Sequence, residues 1–387
     1  MKKTLVALAA LASVSAFAQS SVTIDGYIDR GFTTTNNTND AKDFKGVSSN
    51  AGTTTIGIKG VEDLGSGMKV GFSINTDWAD AGSLTQDGTA IGTASTTYLS
   101  ASGNVVGQGG AFANSQSFLE FISNFGTVRL GTPNNDILTN ATSIASPAFS
   151  TGIGSAYSSS WSTHNGLGTG TTGSGGIVTA VAAANTGAGA RGIRQANTVK
   201  YISPNMNGIV VSYTNAEPNS NSGTSTIDTV GVTEATVRYT NGPLDVMYNT
   251  LEYKVGAGSA PLNGGLTAST SSRHTLLGAS YAVTPSLKLH AGSGASTASS
   301  SSIADGTSTQ MGVTYNMGQF TILAQTAKFN DKSTNNFDRK MTGLGVDYNL
   351  SKTSRVYYRM DNLNLSTNAA ASGSSISRAA IGVSRSF

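Results

Sequence analysis

Histidine is the side chain best suited to move protons near neutral pH, and this sequence has three: His164, His274 and His290. Serine-type hydrolysis needs one of them beside a nucleophile, with a third group to orient it. His164 follows Ser158-Ser-Ser-Trp-Ser-Thr, but serine is scattered through that whole region, so nearness along the chain carries no information. His290 falls at the polar step of an alternation with Leu287 and Leu289, which suits a solvated strand position. There is no cysteine, and no Asp/Asn spacing matches a calcium loop. The residue types therefore support neither an enzyme nor a metal site, and they call for no cofactor.

What remains is charge, and its placement is systematic. Asp25, Asp29, Lys59, Lys69, Asp77, Glu120, Arg129, Lys200, Glu234, Arg238 and Lys288 each sit one step from apolar residues of a short alternating run. Asp347, Arg355, Arg359, Asp361 and Arg378 do the same, and Arg194 shares parity with Lys200. Such positions put charge on one face of a strand and hydrocarbon on the other. With Arg194 the set holds ten basic and seven acidic residues. A face of this kind is wet, and its small basic excess favours anions weakly.

The elements that carry these charges are strands. Val22-Thr-Ile-Asp-Gly-Tyr-Ile-Asp, Val70-Gly-Phe-Ser-Ile-Asn and Phe320-Thr-Ile-Leu-Ala-Gln alternate with period two, and helical spacing never appears at comparable length. Sixteen such segments are expected, from 21–32 and 52–60, through 115–123 and 127–132, to 354–365 and 376–387. Their connections alternate in length. Short turns such as Asn124-Phe-Gly, Asn241-Gly-Pro and Met317-Gly-Gln are followed by long loops such as 33–51, 79–114 and 133–194. An even number of strands with short turns at one end and long loops at the other is the plan of an outer-membrane barrel. A sheet in lipid must close, because open edges would leave backbone groups unpaired. The expected fold is all-β: a sixteen-stranded antiparallel transmembrane β-barrel, with long loops outside the cell and short turns in the periplasm.

The chain ends fit that compartment. Lys2 and Lys3, the apolar run Thr4 to Val14, and Ala16-Phe17-Ala18 follow the order of a secretory signal peptide, so residues 1–18 are expected to be removed and 19–387 to form the barrel. Without Lys2 and Lys3 the chain has 22 basic and 21 acidic residues, which gives no electrostatic footprint for nucleic acid. The last residues, Ile381-Gly-Val-Ser-Arg-Ser-Phe387, form an alternating strand that finishes on an aromatic ring.

Five pieces in order resemble the general porins of β-proteobacteria. They are Ser20-Ser-Val-Thr-Ile-Asp-Gly-Tyr-Ile-Asp, Ile56-Gly-Ile-Lys-Gly-Val-Glu-Asp-Leu-Gly-Ser-Gly-Met-Lys, Phe125-Gly-Thr-Val-Arg-Leu-Gly, Asn197-Thr-Val-Lys-Tyr-Ile-Ser-Pro and Tyr348-Asn-Leu-Ser-Lys-Thr-Ser. The resemblance covers almost the whole chain. It implies a homotrimer in the outer membrane, passing ions and small hydrophilic solutes, with the third loop folded into each barrel as a constriction. The loop 133–194 is 62 residues long, far beyond an ordinary connection. Arg194 matches a constriction arginine of that family, and Lys59 and Arg129 match basic wall positions. The family usually carries arginines where this chain has Thr55, Gln116 or its neighbour Ser115, and Thr132. Its constriction loop tends to be acidic, whereas 133–194 has only Asp136, Arg191 and Arg194 as formal charges. The expected pore is therefore weakly selective and rich in hydroxyls, lined by Arg194, Arg129, Lys59, Lys200, Asp136, Glu120, Asp25, Thr55, Thr132 and Gln116. The resemblance also implies that Phe387 is presented to the machinery that inserts such barrels. A surface-display or adhesin barrel, or a channel for one substrate, are the competing readings. Long Ser/Thr/Gly loops suit any of the three.

Overall fold

The computed structural model describes residues 21–37, 44–77, 113, 115–156, 194, 197–217, 230–255, 271–298, 306–332, 338–365 and 374–387. The expected signal peptide and His164 lie outside this set. Seventeen strand segments form one antiparallel sheet that closes on itself. They are β1 (Ser21–Asn37), β2 (Phe44–Ser48), β3 (Thr55–Gly65), β4 (Met68–Asp77), β5 (Ser117–Ser123), β6 (Gly126–Thr132), β7 (Thr198–Ile202) and β8 (Ile209–Ala216). The second half holds β9 (Val230–Asn241), β10 (Leu244–Val255), β11 (Ser271–Ala282), β12 (Leu287–Ala298), β13 (Gly306–Met317), β14 (Phe320–Asp331), β15 (Arg339–Asn349), β16 (Ser354–Leu365) and β17 (Ser374–Ser386).

The extra segment does not add a place to the wall. β3 pairs with the first half of β1, from Ser21↔Val61 to Tyr27↔Thr55, and β2 pairs with its second half, from Gly31↔Ser48 to Thr35↔Phe44. The two lie at successive levels beside one strand, so the closed barrel has sixteen strand positions. The connection expected at 33–51 was in this respect too simple, because it contains β2 and the upper part of β1.

Asp29 explains the interruption. At its level β17 pairs with β1 on one side, but on the other no strand does, between the ends of β2 and β3, and its carboxylate takes over the pairing there. One oxygen accepts the amides of Asn50, Ala51 and Gly52 at 2.6, 2.6 and 3.2 Å. The other accepts the Tyr357 hydroxyl at 2.6 Å. The Asp29 amide donates to the Thr54 hydroxyl at 3.1 Å. Buried backbone donors need partners, and here a single side chain supplies three. The amides of residues 50–52 therefore keep an acceptor where the chain leaves the wall.

Alternation divides the wall into two faces. Tyr248, Leu277, Leu289, Met311, Leu344 and Ile381 are exposed on the outside. A soluble protein rarely shows so continuous an apolar surface; lipid requires one. Tyr239, Tyr281, Tyr315, Phe320 and Tyr348 ring the outer face at the short-turn end, with the Phe320 and Tyr348 rings 5.0 Å apart. Aromatic girdles of this sort mark a membrane boundary. The barrel closes where β17 pairs with β1, from Asn37↔Ile376 to Tyr27↔Ser386. One step further, Phe387 and Gly26 exchange both backbone hydrogen bonds at 3.1 Å. Gly26 is required there, since a methyl group would come within 2.5 Å of the Phe387 ring.

Candidate pore lining and inward segment

The region after β6 does not stay at the rim. Asn134 forms a bridge with Arg194, and a single helical turn, α1 (Asp136–Thr139), begins against the inner face of the wall. A helix start leaves amides without intrahelical partners. The Glu234 carboxylate on β9 supplies them, accepting the Asp136 and Ile137 amides at 2.7 Å each. Asp136 in turn accepts from Lys200 Nζ at 2.6 Å and from the Ser212 hydroxyl. Lys200 also donates to the Asn134 carbonyl at 2.9 Å. This explains how an ammonium group can be almost wholly buried: it faces two nearby carboxylates and a carbonyl.

From there the segment crosses strand after strand along their inner residues. A π-helical turn, Asn140–Ile144, lays the Asn140 amide group against Asn249 Oδ1 at 2.6 Å and the Met247 and Leu276 carbonyls. His290 meets the Ile144 carbonyl at 3.0 Å and the Thr314 hydroxyl at 3.2 Å. Gln325 donates to Ser146 and accepts the Ala156 amide. The Arg359 guanidinium stacks on Phe149 at 5.0 Å, and Asp361 accepts the Gly154 amide at 2.9 Å. The tip reaches the interrupted strand position, where the Ile153 amide donates to Asn50 at 2.8 Å and Thr53 meets Thr151 at 3.1 Å.

Inward glycines make room for this path. A methyl group on Gly278 would overlap Asn140, and one on Gly343 would overlap the Gly154 backbone. On Gly292 it would lie 2.8 Å from the Ala145 methyl, and on Gly312 2.5 Å from Pro147. The wall is thus notched on β11, β12, β13 and β15, and the segment lies flush in the notch. Its side chains that turn away from the wall are Ser143, Ala148 and Ser150, none of them charged.

The wall charges are paired. Lys59 meets Asp25 at 2.5 Å, Arg129 meets Glu120 at 2.9 Å, and Arg194 meets Asp77 at 3.1 Å. Arg129 also lies 4.7 Å above the Phe118 ring. Arg355 and Arg359 share Asp347 at 3.0 and 2.8 Å, and Arg378 holds Asp361 at 2.5 Å. Lys69 pairs with Asp63 and Arg238 with Asp245. Among the described residues Lys288 is the one cation of the expected set without an ion-pair partner. Asp63, Asp136 and Asp245 were missing from the list of wall charges built on parity, and with them the ten bases face ten acids. In several pairs the base is the more exposed member: 39% against 16% for Arg238 and Asp245, 26% against 2% for Arg355 and Asp347, and 18% against 0% for Arg378 and Asp361.

The smaller expected residues separate. Thr55 pairs with Tyr27 and Asp77 on the inner parity, and Gln116 accepts the Asn134 amide at 3.0 Å, which helps tether the start of the segment. Ser115, beside it, accepts from Arg194 at 2.7 Å. Thr132 differs from expectation. It lies opposite Ser117, two steps from the exposed Leu130, and so falls on the outward parity. Parity counted along β6 from Arg129 gives the same answer, whereas the expectation for Thr132 came from the resemblance alone. The capping role of Glu234, the part played by Asp29 and the glycine notch were not anticipated. For the notch a signal did exist: glycines recur at inward positions of β11, β12, β13 and β15, where a wet wall would otherwise carry polar side chains.

Comparisons with known proteins agree with this architecture. A family model described as Gram-negative porin matches residues 4–368. Outer membrane porin protein 32 of Delftia acidovorans is 32% identical over 292 residues, an alignment that spans 73% of this chain and 66% of that protein, just under two thirds. The anion-selective porin from Comamonas acidovorans superposes with a TM-score of 0.71 at 25% identity, covering 95% of this chain and all of the other. The trimer form of OmpT from Vibrio cholerae shares the fold, with a TM-score of 0.59 at 12% identity over 95% of this chain and 99% of its own. A closed sixteen-position barrel, apolar outside and charged within, thus meets a family match over nearly its whole length, and the chain belongs to the Gram-negative porins of the outer membrane.

Proposed function

We propose that this chain forms a water-filled pore for passive diffusion of ions and small hydrophilic solutes, with a weak preference for anions, narrowed by the inward segment 134–156 of the 133–194 loop, whose residues 157–193 lie outside the described set. The observation that carries the preference is the asymmetry within the ion pairs. Bases and acids of the wall balance in number, but Arg238, Arg355 and Arg378 reach further into water than the carboxylates they hold. The reverse holds for Arg194 with Asp77 and for Lys200 with Asp136, but in most of the wall pairs the base is the more exposed member, and fixed charge biases local ion concentration by sign. The uncharged Ser143, Ala148 and Ser150 on the open side of the inward segment add no opposing field.

The reading is a channel and not an enzyme. His290 is engaged by the Ile144 carbonyl and Thr314, and His274 is buried on the wall. Neither is open to a substrate. Assembly as a homotrimer is part of the proposal. Arg30 falls on the outward parity between Ile28 and Phe32, beside the interrupted strand position. Its guanidinium donates to the Asp29 carbonyl, Ser49 and Thr54 at 2.7, 3.1 and 3.0 Å, which gathers polar groups on the outward side of the interruption, and such a surface is better covered by a second copy than by lipid. Residues 1–18 act as the export signal in the same reading, and Phe387 closes the seam during insertion.

Planar-bilayer recording across a potassium chloride gradient tests the pore. Steps in groups of three with a reversal potential slightly toward chloride are expected. Replacing Arg238 and Arg378 together by glutamine uncovers Asp245 and Asp361 and should move the reversal to the potassium side. Unchanged reversal in that variant, or silence from folded protein, would sink the reading and favour a display barrel. Deleting Phe387 should lower the amount of folded barrel in the outer membrane several-fold, since both hydrogen bonds to Gly26 are lost. Undiminished assembly of the shortened chain would remove that role.

A further inference from the structure

Most of the inner wall is polar, but β5 turns an aromatic ring into it. Leu119 and Phe121 are exposed on the lipid side, at 58% and 42%, so Phe118 and Glu120, of the opposite parity, face the lumen. A phenylalanine placed there keeps apolar surface against water with no lipid to cover it. The inward segment does not cover it either. That segment runs from Asn134 across β9 to β16, away from β5, and Phe118 stays partly open. Its neighbours in register are Ser73 and Gly131, so no bulky side chain crowds the ring on either flank.

Two groups beside the ring have donors to spare. Arg129 lies over it, with the guanidinium carbon 4.7 Å from the ring centroid, and uses Nε on Glu120 at 2.9 Å. Its two terminal nitrogens have no hydrogen-bond partner among the described residues, and the side chain is open to the lumen. Gln116, one inward step before Phe118, accepts the Asn134 amide through Oε1 at 3.0 Å, which leaves its amide nitrogen as an unspent donor. A planar fork of N–H groups matches a carboxylate, and an open ring matches an aromatic body by offset or edge-on contact. The neighbouring cations are already engaged: Arg194 by Asp77, Lys200 by Asp136 and Lys59 by Asp25. Glu120 and Asp77 repel a second negative group. The arrangement therefore suits one carboxylate and not two, and a bare inorganic anion gains nothing from the ring.

We propose that Gln116, Phe118 and Arg129 form a binding site on the inner wall for an aromatic monocarboxylate. The carboxylate accepts from the free edge of Arg129 and from the Gln116 amide, and its ring packs against the part of Phe118 that Arg129 leaves uncovered. The site refines what the pore admits, so it rests on the chain acting as an open channel.

The test records chloride current through the purified full chain in planar bilayers while benzoate, cyclohexanecarboxylate or acetate is added. All three carry one negative charge, and only benzoate is aromatic. Benzoate should reduce the current saturably, with half-block at about one fifth of the concentration that cyclohexanecarboxylate needs. Acetate should show no saturable block. Phe118→Leu keeps an apolar side chain and should bring the two ring acids to within about twofold of each other. Arg129→Lys keeps the charge but loses the fork, and should weaken block by benzoate by about fivefold or more. Chloride current in each variant reports that its barrel is folded. Equal block by the two ring acids in the wild type overturns the site, and so does a benzoate preference that survives Phe118→Leu or a half-block unchanged in Arg129→Lys. A channel that conducts chloride but ignores benzoate overturns the site alone. Absence of chloride current from folded wild-type protein fails the pore itself and takes the site with it.

Discussion

Asp29→Ala is expected to destabilise the barrel by on the order of 3–6 kcal/mol, because three amides and a phenol lose their common acceptor. The carboxylate is completely buried, and the groups around it are placed by the strand interruption. Alanine leaves the amides of Asn50, Ala51 and Gly52 pointing into a gap. The loss spreads, because Asn50 also accepts the Ile153 amide at the tip of the inward segment and donates to the Gly31 carbonyl. Asp29→Asn keeps one acceptor oxygen and should recover about half of the deficit. The measurement is the temperature at which the compact barrel is lost in detergent, together with single-channel noise. If the alanine variant melts with the wild type, water replaces the carboxylate at no cost and residues 50–54 are held by other contacts.

The barrel was legible in the sequence because period-two alternation is a local property. Val22 to Asp29 or Phe320 to Gln325 declare their two faces within six or eight residues, and a lipid-facing strand cannot hide a misplaced charge. Positions such as Lys59, Glu120 and Arg129 followed from the same count. Partners were not legible. Glu234 reads as an inward carboxylate, but the amides it accepts lie 98 and 97 residues away, and no spacing reports that. Parity likewise left Asp63 and Asp245 unexamined, so the basic excess of the list gave way to near balance once pairs were formed. β2 was missed because five residues that pair with only half of β1 leave little alternation to find. Thr132 shows the reverse case: a position taken from a resemblance, against the parity of its own strand.

Glu234→Ala should change the current more than any other single substitution on the wall. Its two oxygens accept the first two amides of α1, and charge-assisted hydrogen bonds contribute roughly 1.5–3 kcal/mol each. Losing both moves the balance between docked and undocked forms by about 3–6 kcal/mol, and 1.4 kcal/mol is a factor of ten. Two further effects act together. Lys200 keeps Asp136 but loses the second carboxylate beside it, and Asn249 loses an acceptor at 3.5 Å. The far half of the segment stays fixed by Gln325, Arg359 and Asp361, so the change is a local release of residues 134–139. Recordings should show several unequal open levels with noise raised several-fold and a larger mean conductance. Glu234→Gln retains one carbonyl acceptor and should fall between the two. A quiet, wild-type conductance in the alanine variant would mean that the start of the segment is held by Gln116, Arg194 and Lys200 without Glu234, and that docking does not depend on the wall of β9.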